Sequence, residues 1–357
     1  MATLADGAQP AQVSKTTASR VLNGLAERYR ITSATVALVE EAAKALGYRP
    51  SYAARALTRG RTDNIGVLLG FRALASPAVQ TFVGAVLGGI NEVVRPTGRH
   101  VVLTSERERF ETLGGLAAHP SDRFDALIAF GYVLSPEFTA VDLEHLDAPL
   151  VVVGDPPVPT RRPVVLLDAD PGLEAAVDHL RDRGHTRIAW VSLAHSIHGA
   201  DVRPREDSQA RARTVSRLCA ARGMTCVVVS AGISAPVYQL GRERALTALM
   251  DSLAPILAGL KGVTALCCYN DLVAHAAIRL LRRMGRPVPE DMAVVGFDNL
   301  FADLADPPLT SIDHRLAEMG RCAATLALRM VDEAGARDAL AGHRDLIPAQ
   351  LVVRESS

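Results

Sequence analysis

Val13–Gly24 reads VSKTTASRVLNG, the pattern of the second, DNA-reading helix of a helix-turn-helix. Ser14 can cap the start of such a helix, because its hydroxyl can accept a hydrogen bond from a first-turn N–H that has no partner within the helix. Lys15, Thr16, Thr17, Ser19 and Arg20 then fill the first two turns with short hydrogen-bonding groups and two long cations. Residues of these kinds reach base edges and phosphates when a helix N-terminus enters a major groove. Val21 and Leu22 supply the apolar side that would hold the helix on its domain. Taken alone, the stretch is also compatible with a plain amphipathic surface helix carrying a serine cap.

The charge distribution around it favours the first reading. The chain has 357 residues, 48% of them hydrophobic and 22% charged, with no net charge, which suits a globular protein of two or three domains. Residues 1–61 hold nine Lys and Arg against four Asp and Glu, and the remainder is acidic by the same margin. A basic front on an acidic body suits a polyanionic partner for the first part only. The five cysteines, Cys219, Cys226, Cys267, Cys268 and Cys322, are spaced for neither a CxxC pair nor a zinc site, so they read as free thiols in a reducing compartment. The opening MATLADGAQPAQ lacks the basic start and apolar run of a signal peptide. No stretch is apolar for the length of a membrane span. These features point to a cytoplasmic protein.

Residues 3–48 read as a small helical unit, with a first helix over Leu4–Gln12, the reading helix from Ser14, and a third helix from Thr32 to Leu46. Val36, Val39, Ala43 and Leu46 of the third recur at three- and four-residue steps and make one apolar face; Gly47 ends it. In Tyr48–Thr62, YRPSYAARALTRGRT, the patch Tyr52–Thr58 favours helix. It is too short to be stable alone, so it is expected to order against a partner. From Asn64 onward short β-branched runs alternate with amphipathic helices. The runs are Ile65–Leu69, His100–Thr104, Ala126–Phe130, Leu150–Val153, Val164–Leu167, Ile188–Ser192, Thr225–Ser230, Ala265–Tyr269 and Ala293–Phe297. The helices include Pro77–Arg95, Pro171–Arg183, Gln209–Arg222, Gln239–Ser252 and Leu272–Met284. Such alternation means βαβ units, parallel strands, and helices on both faces. There is too much of it for one sheet, so two similar lobes are expected, with the chain first crossing near Val164–Asp168. A ligand would bind between them, at the carboxyl ends of the strands.

Several segments together, in this order along the whole chain, resemble the lactose/galactose-repressor family of bacterial transcription regulators: VSKTTASRVLNG, GYRPSYAARALTRGRTDNIGVLL, HLRDRGHTRIAWV, CCYNDLVAHAAIRLLRRMG, VPEDMAVVGFDN, PPLTSIDHRLAEMG and IPAQLVVRES. The resemblance implies an all-α helix-turn-helix headpiece over residues 1–48, a hinge helix over 49–61, and a two-lobed α/β core over 62–357 like that of periplasmic sugar-binding proteins. It places lobe 1 at about 62–165 and 313–342, and lobe 2 at about 166–312 and 343–357. It implies a homodimer on palindromic double-stranded operator DNA, controlled by a small effector. By that likeness Lys15, Thr16 and Arg20 read bases in the major groove, and Thr3, Ser14, Thr17, Ser19 and Asn23 contact phosphates. Tyr48 and Ser51 join the DNA-contacting set, and Ala54, Arg55 and Leu57 enter the minor groove with Leu57 as the wedge. The chemistry agrees: arginine can bond guanine bidentately, and an apolar wedge kinks a duplex so that more of the protein meets it.

The chain also departs from that family. Gly7 and Pro10 fall inside the first helix, and proline removes a hydrogen bond there. Gln12 takes the usual turn-glycine place, the loop Leu25–Arg30 is longer and adds Arg28 and Arg30, and Val36, Ala37 and Leu38 replace commonly polar residues. A headpiece that is marginal away from DNA is expected. In the core, Arg211, Asn270 and Asp298 fall at effector-gripping positions, a set able to donate to and accept from a hydroxyl-rich ligand such as a sugar or nucleoside. An Arg211–Asp298 pair latching the lobes is the structural alternative, and Asp271 reads as the cap of the helix that follows. Where the family often carries Asp this chain has Gly154, with Asp155 one residue on. Phe71 and Phe130 could stack on a ligand ring or pack in the core. Trp190 reads first as a buried strand residue and second as a ligand platform. Ala194–Ser208 is long and polar, either a lid or disordered.

Two other functions compete. A solute-binding protein of the periplasmic type without a DNA role would explain the lobes but not residues 1–61 or the missing export signal. An α/β enzyme would need a motif such as GxxxxGK[ST], GxSxG, HExxH or GxGxxG; none is present, and no cofactor or metal is expected.

Overall fold

In the computed structural model, which describes residues 13–22, 24–47, 61–69, 77–104, 123–131, 148–156, 159–195, 203–204, 206–233 and 241–357, the amino-terminal module shows two helices, α1 (Lys15–Leu22) and α2 (Ser33–Ala45). The expected first helix Leu4–Gln12 and the helical patch Tyr52–Thr58 lie outside the described residues. Ala18 and Val21 of α1 pack on Val39 and Ala42 of α2, with Val13, Leu22, Ile31 and Val36 around them. The Thr35 N–H bonds the Thr32 hydroxyl at 3.3 Å, which caps α2. The expected face of α2 is shifted at its end: the helix stops at Ala45, Leu46 is 40% exposed, and Ala42 takes the inner place.

The first lobe is a parallel sheet. Its strands are β1 (Asn64–Leu68), β2 (His100–Thr104), β3 (Ala126–Phe130), β4 (Leu150–Val153) and β5 (Val164–Asp168), joined by β12 (Arg344–Pro348) from near the end of the chain. The order across the sheet is β12-β5-β4-β3-β1-β2. Strands β3 and β4 are buried at every residue, as expected where helices cover both faces of a parallel sheet. Two helices, α3 (Pro77–Val94) and α8 (Leu316–Asp332), cover one face. They approach closely because Gly89 and Gly320 have no side chain; a Cβ there would collide with the Ala317 and Val86 carbonyls respectively.

The second lobe contains α4 (Asp170–Asp182), β6 (Arg187–His195), β7 (Arg203–Pro204), α5 (Glu206–Ala221), β8 (Thr225–Ile233), α6 (Arg242–Gly259), β9 (Ala265–Cys268), α7 (Asp271–Arg283), β10 (Ala293–Asp298), β11 (Thr310–Asp313) and β13 (Gln350–Val352). Its sheet runs β13-β11-β10-β9-β6, with β8 and the short β7 both on β6. The largest core of the molecule fills this lobe around Trp190, Leu249, Leu266 and Phe297. Cys219, Cys267 and Cys268 are buried and Cys226 and Cys322 half-buried.

Among the described residues the chain passes between the sheets three times: after Asp168, after Asp313 and after Pro348. This corrects the expected lobe limits. Strand β5 keeps residues 166–168 in the first lobe, and β12 pairs with β5 from Arg344↔Val164 to Pro348↔Asp168. The segment 344–348 therefore belongs to the first lobe, and the second resumes at β13. The expected helix Gln239–Ser252 also runs further, to Gly259 through Pro255, because Leu253 and Leu257 continue its buried stripe.

Candidate functional site

Two surfaces answer to the expected sites. The first is α1. The Ser14 hydroxyl accepts the Thr17 N–H at 3.0 Å, the capping bond expected from the sequence. With Ala18 and Val21 turned inward, the helical repeat sets Thr16, Ser19 and Arg20 on the opposite side and Lys15, three residues before Ala18, at the flank. Ser14, Lys15 and Thr16 are exposed, and Thr17, Ser19 and Arg20 are half-buried. The guanidinium of Arg20 lies over the ring of Tyr29, 3.8 Å from its centre. Thr3, Asn23, Tyr48, Ser51, Ala54, Arg55 and Leu57 lie outside the described residues.

The second surface is the carboxyl edge of the second lobe's sheet, where the chain returns to the first lobe. Arg211, from α5, lies with its guanidinium 3.9 Å from the Phe297 ring centre and 5.3 Å from that of Tyr269. Its Nη1 donates to the Tyr269 carbonyl at 3.4 Å. The Tyr269 hydroxyl donates to Asp207 Oδ2 at 2.8 Å, which ties the start of α5 to the end of β9. Asp298 closes β10 with φ 106°, and Asn299 and Phe301 follow at 53° and 61°. Side-chain-bearing residues in that region are strained, and such strain concentrates at functional sites. His314 sits on the crossover between β11 and α8. It is 8% exposed, and its Nε2 is 3.1 Å from Asp298 Oδ1 without the alignment of a hydrogen bond. Its ring stands edge-on to Phe297 of the second lobe at 4.9 Å and to Phe82 of α3 in the first at 5.9 Å. One buried imidazole thus touches an aromatic ring from each lobe.

The structure therefore brings Arg211, Asn270 and Asp298 to one edge, and no ion pair joins Arg211 to Asp298 among the described residues. Asn270, not Asp271, caps α7: its Oδ1 accepts the Val273 N–H at 3.0 Å. That leaves its amide nitrogen for other partners. Asp271 is buried and accepts from the Ser311 hydroxyl at 2.6 Å and the Leu300 N–H at 2.7 Å. Burial and the neighbouring Asp298 carboxylate push its pKa well up. Gly296 makes room for this carboxylate, since a Cβ there would collide with Asp271 Oδ1.

Other expectations separate. Phe130 is completely buried in the first-lobe core. It packs in the core with residues of α3 and α8, the second of its two expected places. Asp155 is exposed just beyond β4, and Phe71 lies outside the described residues. Trp190 is a strand residue, 1% exposed, with Nε1 donating to the Ser192 hydroxyl at 3.0 Å. Part of Ala194–Ser208 is strand and helix: Ala194↔Pro204 and His195↔Arg203 form an antiparallel pair, and Glu206–Ser208 begin α5. Residues 196–202 and 205 lie outside the described residues. Asp207, Tyr269, Phe297 and His314 were not singled out from the sequence. Their shared place at or just beyond the ends of neighbouring strands is the signal that could have found them.

Among the described residues no group of three His, Cys, Asp or Glu side chains is placed to hold a metal ion, and no helix is long and apolar enough to cross a membrane.

Family models match two regions of the chain: bacterial regulatory proteins of the lacI family over residues 3–51, and a periplasmic binding protein-like domain over 177–357. The HTH-type transcriptional repressor PurR of Vibrio cholerae serotype O1 (strain M66-2) is 28% identical over 335 residues, covering 93% of this chain and 92% of that protein. Among solved structures, a complex of the transcriptional regulator CelR with cellobiose is 27% identical, with a TM-score of 0.60 over 100% of both chains. The lac repressor dimer bound to operator and the anti-inducer ONPF is similar in fold, with a TM-score of 0.73 over 99% of this chain and 98% of that one at 22% identity.

Proposed function

This chain belongs to the lacI family of bacterial regulatory proteins, and we propose that it is a sequence-specific transcription repressor whose hold on operator DNA is set by a small effector bound between its lobes. The observation that carries this reading is the capped helix α1. It presents Lys15, Thr16 and Arg20 away from its small core, in the same chain as a two-lobed ligand-binding fold. Lys15, Thr16 and Arg20 read base edges; Ser14, Thr17 and Ser19, with Thr3 and Asn23, hold phosphates. Tyr48, Ser51, Ala54, Arg55 and Leu57 complete the contact at the minor groove. Two protomers form a homodimer in the cytoplasm, each reading one half of a palindrome.

The effector is a hydroxyl-rich molecule of the sugar or nucleoside class. Arg211 supplies planar donors, Asp298 an acceptor, and Asn270 its amide nitrogen, a set that matches vicinal hydroxyls. The cellobiose complex of a regulator of the same fold supports that class. The effector acts by preferring one arrangement of the lobes, since a ligand shifts an equilibrium only by its differential affinity for the two states.

Thermal denaturation of the full-length protein against a panel of sugars and nucleosides tests the second half of this reading. A true effector present at 100 times its dissociation constant adds about 2.7 kcal/mol of stability, and it must also change the affinity for operator DNA. A ligand that stabilises the core yet leaves operator affinity unchanged would refute the coupling. The DNA half is tested by salt: several phosphate contacts give a steep fall of affinity with ionic strength, and a flat dependence would be incompatible with α1 in a groove.

A further inference from the structure

The segment that joins α1 to α2 folds back on α1. The Leu25 N–H bonds the Arg20 carbonyl at 2.8 Å, the Tyr29 N–H bonds the Leu25 carbonyl at 3.2 Å, and the Ile31 N–H bonds the Ala26 carbonyl at 2.9 Å. Arg30 completes the turn with φ 50°. The result is the stacking of Tyr29 under the Arg20 guanidinium at 3.8 Å, with Arg28 near the same ring at 5.9 Å. Tyr29 is 44% exposed and is not part of the small core between α1 and α2, so burial does not account for its position.

The geometry of the contact matters. A guanidinium stacked on a ring uses its π face, while its N–H donors lie in the plane and point outward past the ring edge. Bidentate recognition of guanine needs those in-plane donors. In this structure they make no hydrogen bond or ion pair with any described residue. A free arginine side chain loses much of its rotamer freedom when it binds; one already stacked has less to lose.

We propose that Tyr29 is a positioning residue for base reading: it holds the Arg20 guanidinium flat and forward before DNA arrives, so that the long loop after α1 sharpens the preference at the base Arg20 meets. This rests on the reading of α1 given above. The second cation, Arg28, is exposed near the same ring and keeps the loop tip positive beside the duplex.

The test uses full-length protein throughout. Duplexes are first selected from a random library with the unaltered protein. Affinities for selected and unselected duplexes are then measured for Tyr29→Ala, Tyr29→Leu, Tyr29→Phe, Arg20→Ala and the double variant Arg20→Ala/Tyr29→Ala. The alanine and leucine variants are expected to weaken the selected duplex by about threefold per headpiece, about tenfold for a dimer on a palindrome. They should blunt the preference at one base in each half-site while leaving unselected duplex unchanged. Tyr29→Phe, which keeps a ring face, should stay within about twofold of the unaltered protein, and Tyr29→Ala should add nothing in the Arg20→Ala background. The proposal is overturned if Tyr29→Ala reads the selected site as well as the unaltered protein does. It is also overturned if leucine restores binding, if the double variant is weaker than Arg20→Ala alone, or if selected and unselected duplexes weaken equally in both Tyr29→Ala and Tyr29→Leu. If the unaltered protein enriches no duplex at all, the reading of α1 falls and this proposal with it; enrichment followed by an indifferent Tyr29→Ala removes this proposal alone.

Discussion

Asp298 occupies a backbone conformation, φ 106°, that few side-chain-bearing residues adopt, and this decides how its role can be tested. Asparagine tolerates left-handed backbone nearly as well as aspartate, so Asp298→Asn removes the charge without changing the chain path. A hydrogen bond to a charged group contributes about 1.5–3 kcal/mol. Asp298→Asn should therefore weaken effector binding by about 10- to 100-fold in calorimetric titration while the melting temperature stays nearly constant. At Gly296 the effect is reversed. A methyl group placed against Asp271 Oδ1 forces a buried, doubly bonded carboxylate to move, and Gly296→Ala should cost about 1–3 kcal/mol in urea unfolding. Arg211, Asn270 and Asp298 were legible because the segments around them resemble a family pattern. His314, Tyr269 and Phe297 were not, since their meeting depends on β9, β10 and β11 lying side by side, and nothing in a single strand records its neighbours. Phe130 takes the core place of its two expected ones, and the sequence left both open because a strand-end aromatic looks the same whether its sheet face is open or covered.

The helices of the amino-terminal module illustrate what a small element can and cannot hold. The core between α1 and α2 rests on Ala18, Val21, Val39 and Ala42 with a few half-buried neighbours, so each terminus matters. Ser14→Ala, which removes the bond to the Thr17 N–H, should cost about 1 kcal/mol. Amide exchange should show α1 opening more readily in this variant than in the unaltered protein when DNA is absent, and closing in both when operator is added. Full exchange protection of α1 in the free protein would contradict a marginal module. At the far end of α8, Asp332 accepts from Arg61, the first described residue after the linker, at 3.0 Å and pairs with Arg99. The Arg99 guanidinium, then that of Arg61, holds the Asp332 carboxyl below its ordinary value of 3.8. A depressed carboxylate stabilises the fold at pH above its unfolded value, and that contribution is lost as pH falls through the folded one. The stability gap between the unaltered protein and Asp332→Asn should therefore be present at neutral pH, begin to shrink near the ordinary value of 3.8, and be gone only once pH has fallen below the lowered folded value. Strands and helices with clear period were legible to within a few residues at each end, β1 to β6 and β8 to β10 among them. The strands β7, β11, β12 and β13 were not: β7 is a two-residue pair in a polar stretch, and the other three mix polar or charged residues into runs of three to five, whereas β4 and β9, at four residues each, are wholly apolar. β12, starting with Arg344 and Asp345, looks like a surface turn until β5 is beside it.

At the scale of the molecule, the two lobes were visible as an excess of βα units over what one sheet can use, but where the chain changes lobes was not. The crossings are short stretches whose neighbours come from remote segments, as when the Ala349 N–H bonds the Asp168 carbonyl at 2.8 Å. His314 lies on one of them, and removing its ring should loosen the lobes toward each other. His314→Ala is expected to broaden the distribution of distances between spin labels placed on α3 and α7, and effector should narrow it again. An unchanged distribution would mean the imidazole only fills space. Helix α8 begins two residues beyond His314 and ends at Asp332, the residue that anchors Arg61. Its 17 residues make a rod about 25 Å long, with one end at the ligand cleft and the other gripping the strap that leads to the DNA-binding module. A stiff lever of that length turns roughly 5° of tilt at the cleft into about 2 Å of travel at the strap, a displacement comparable with the fit of a side chain between stacked bases.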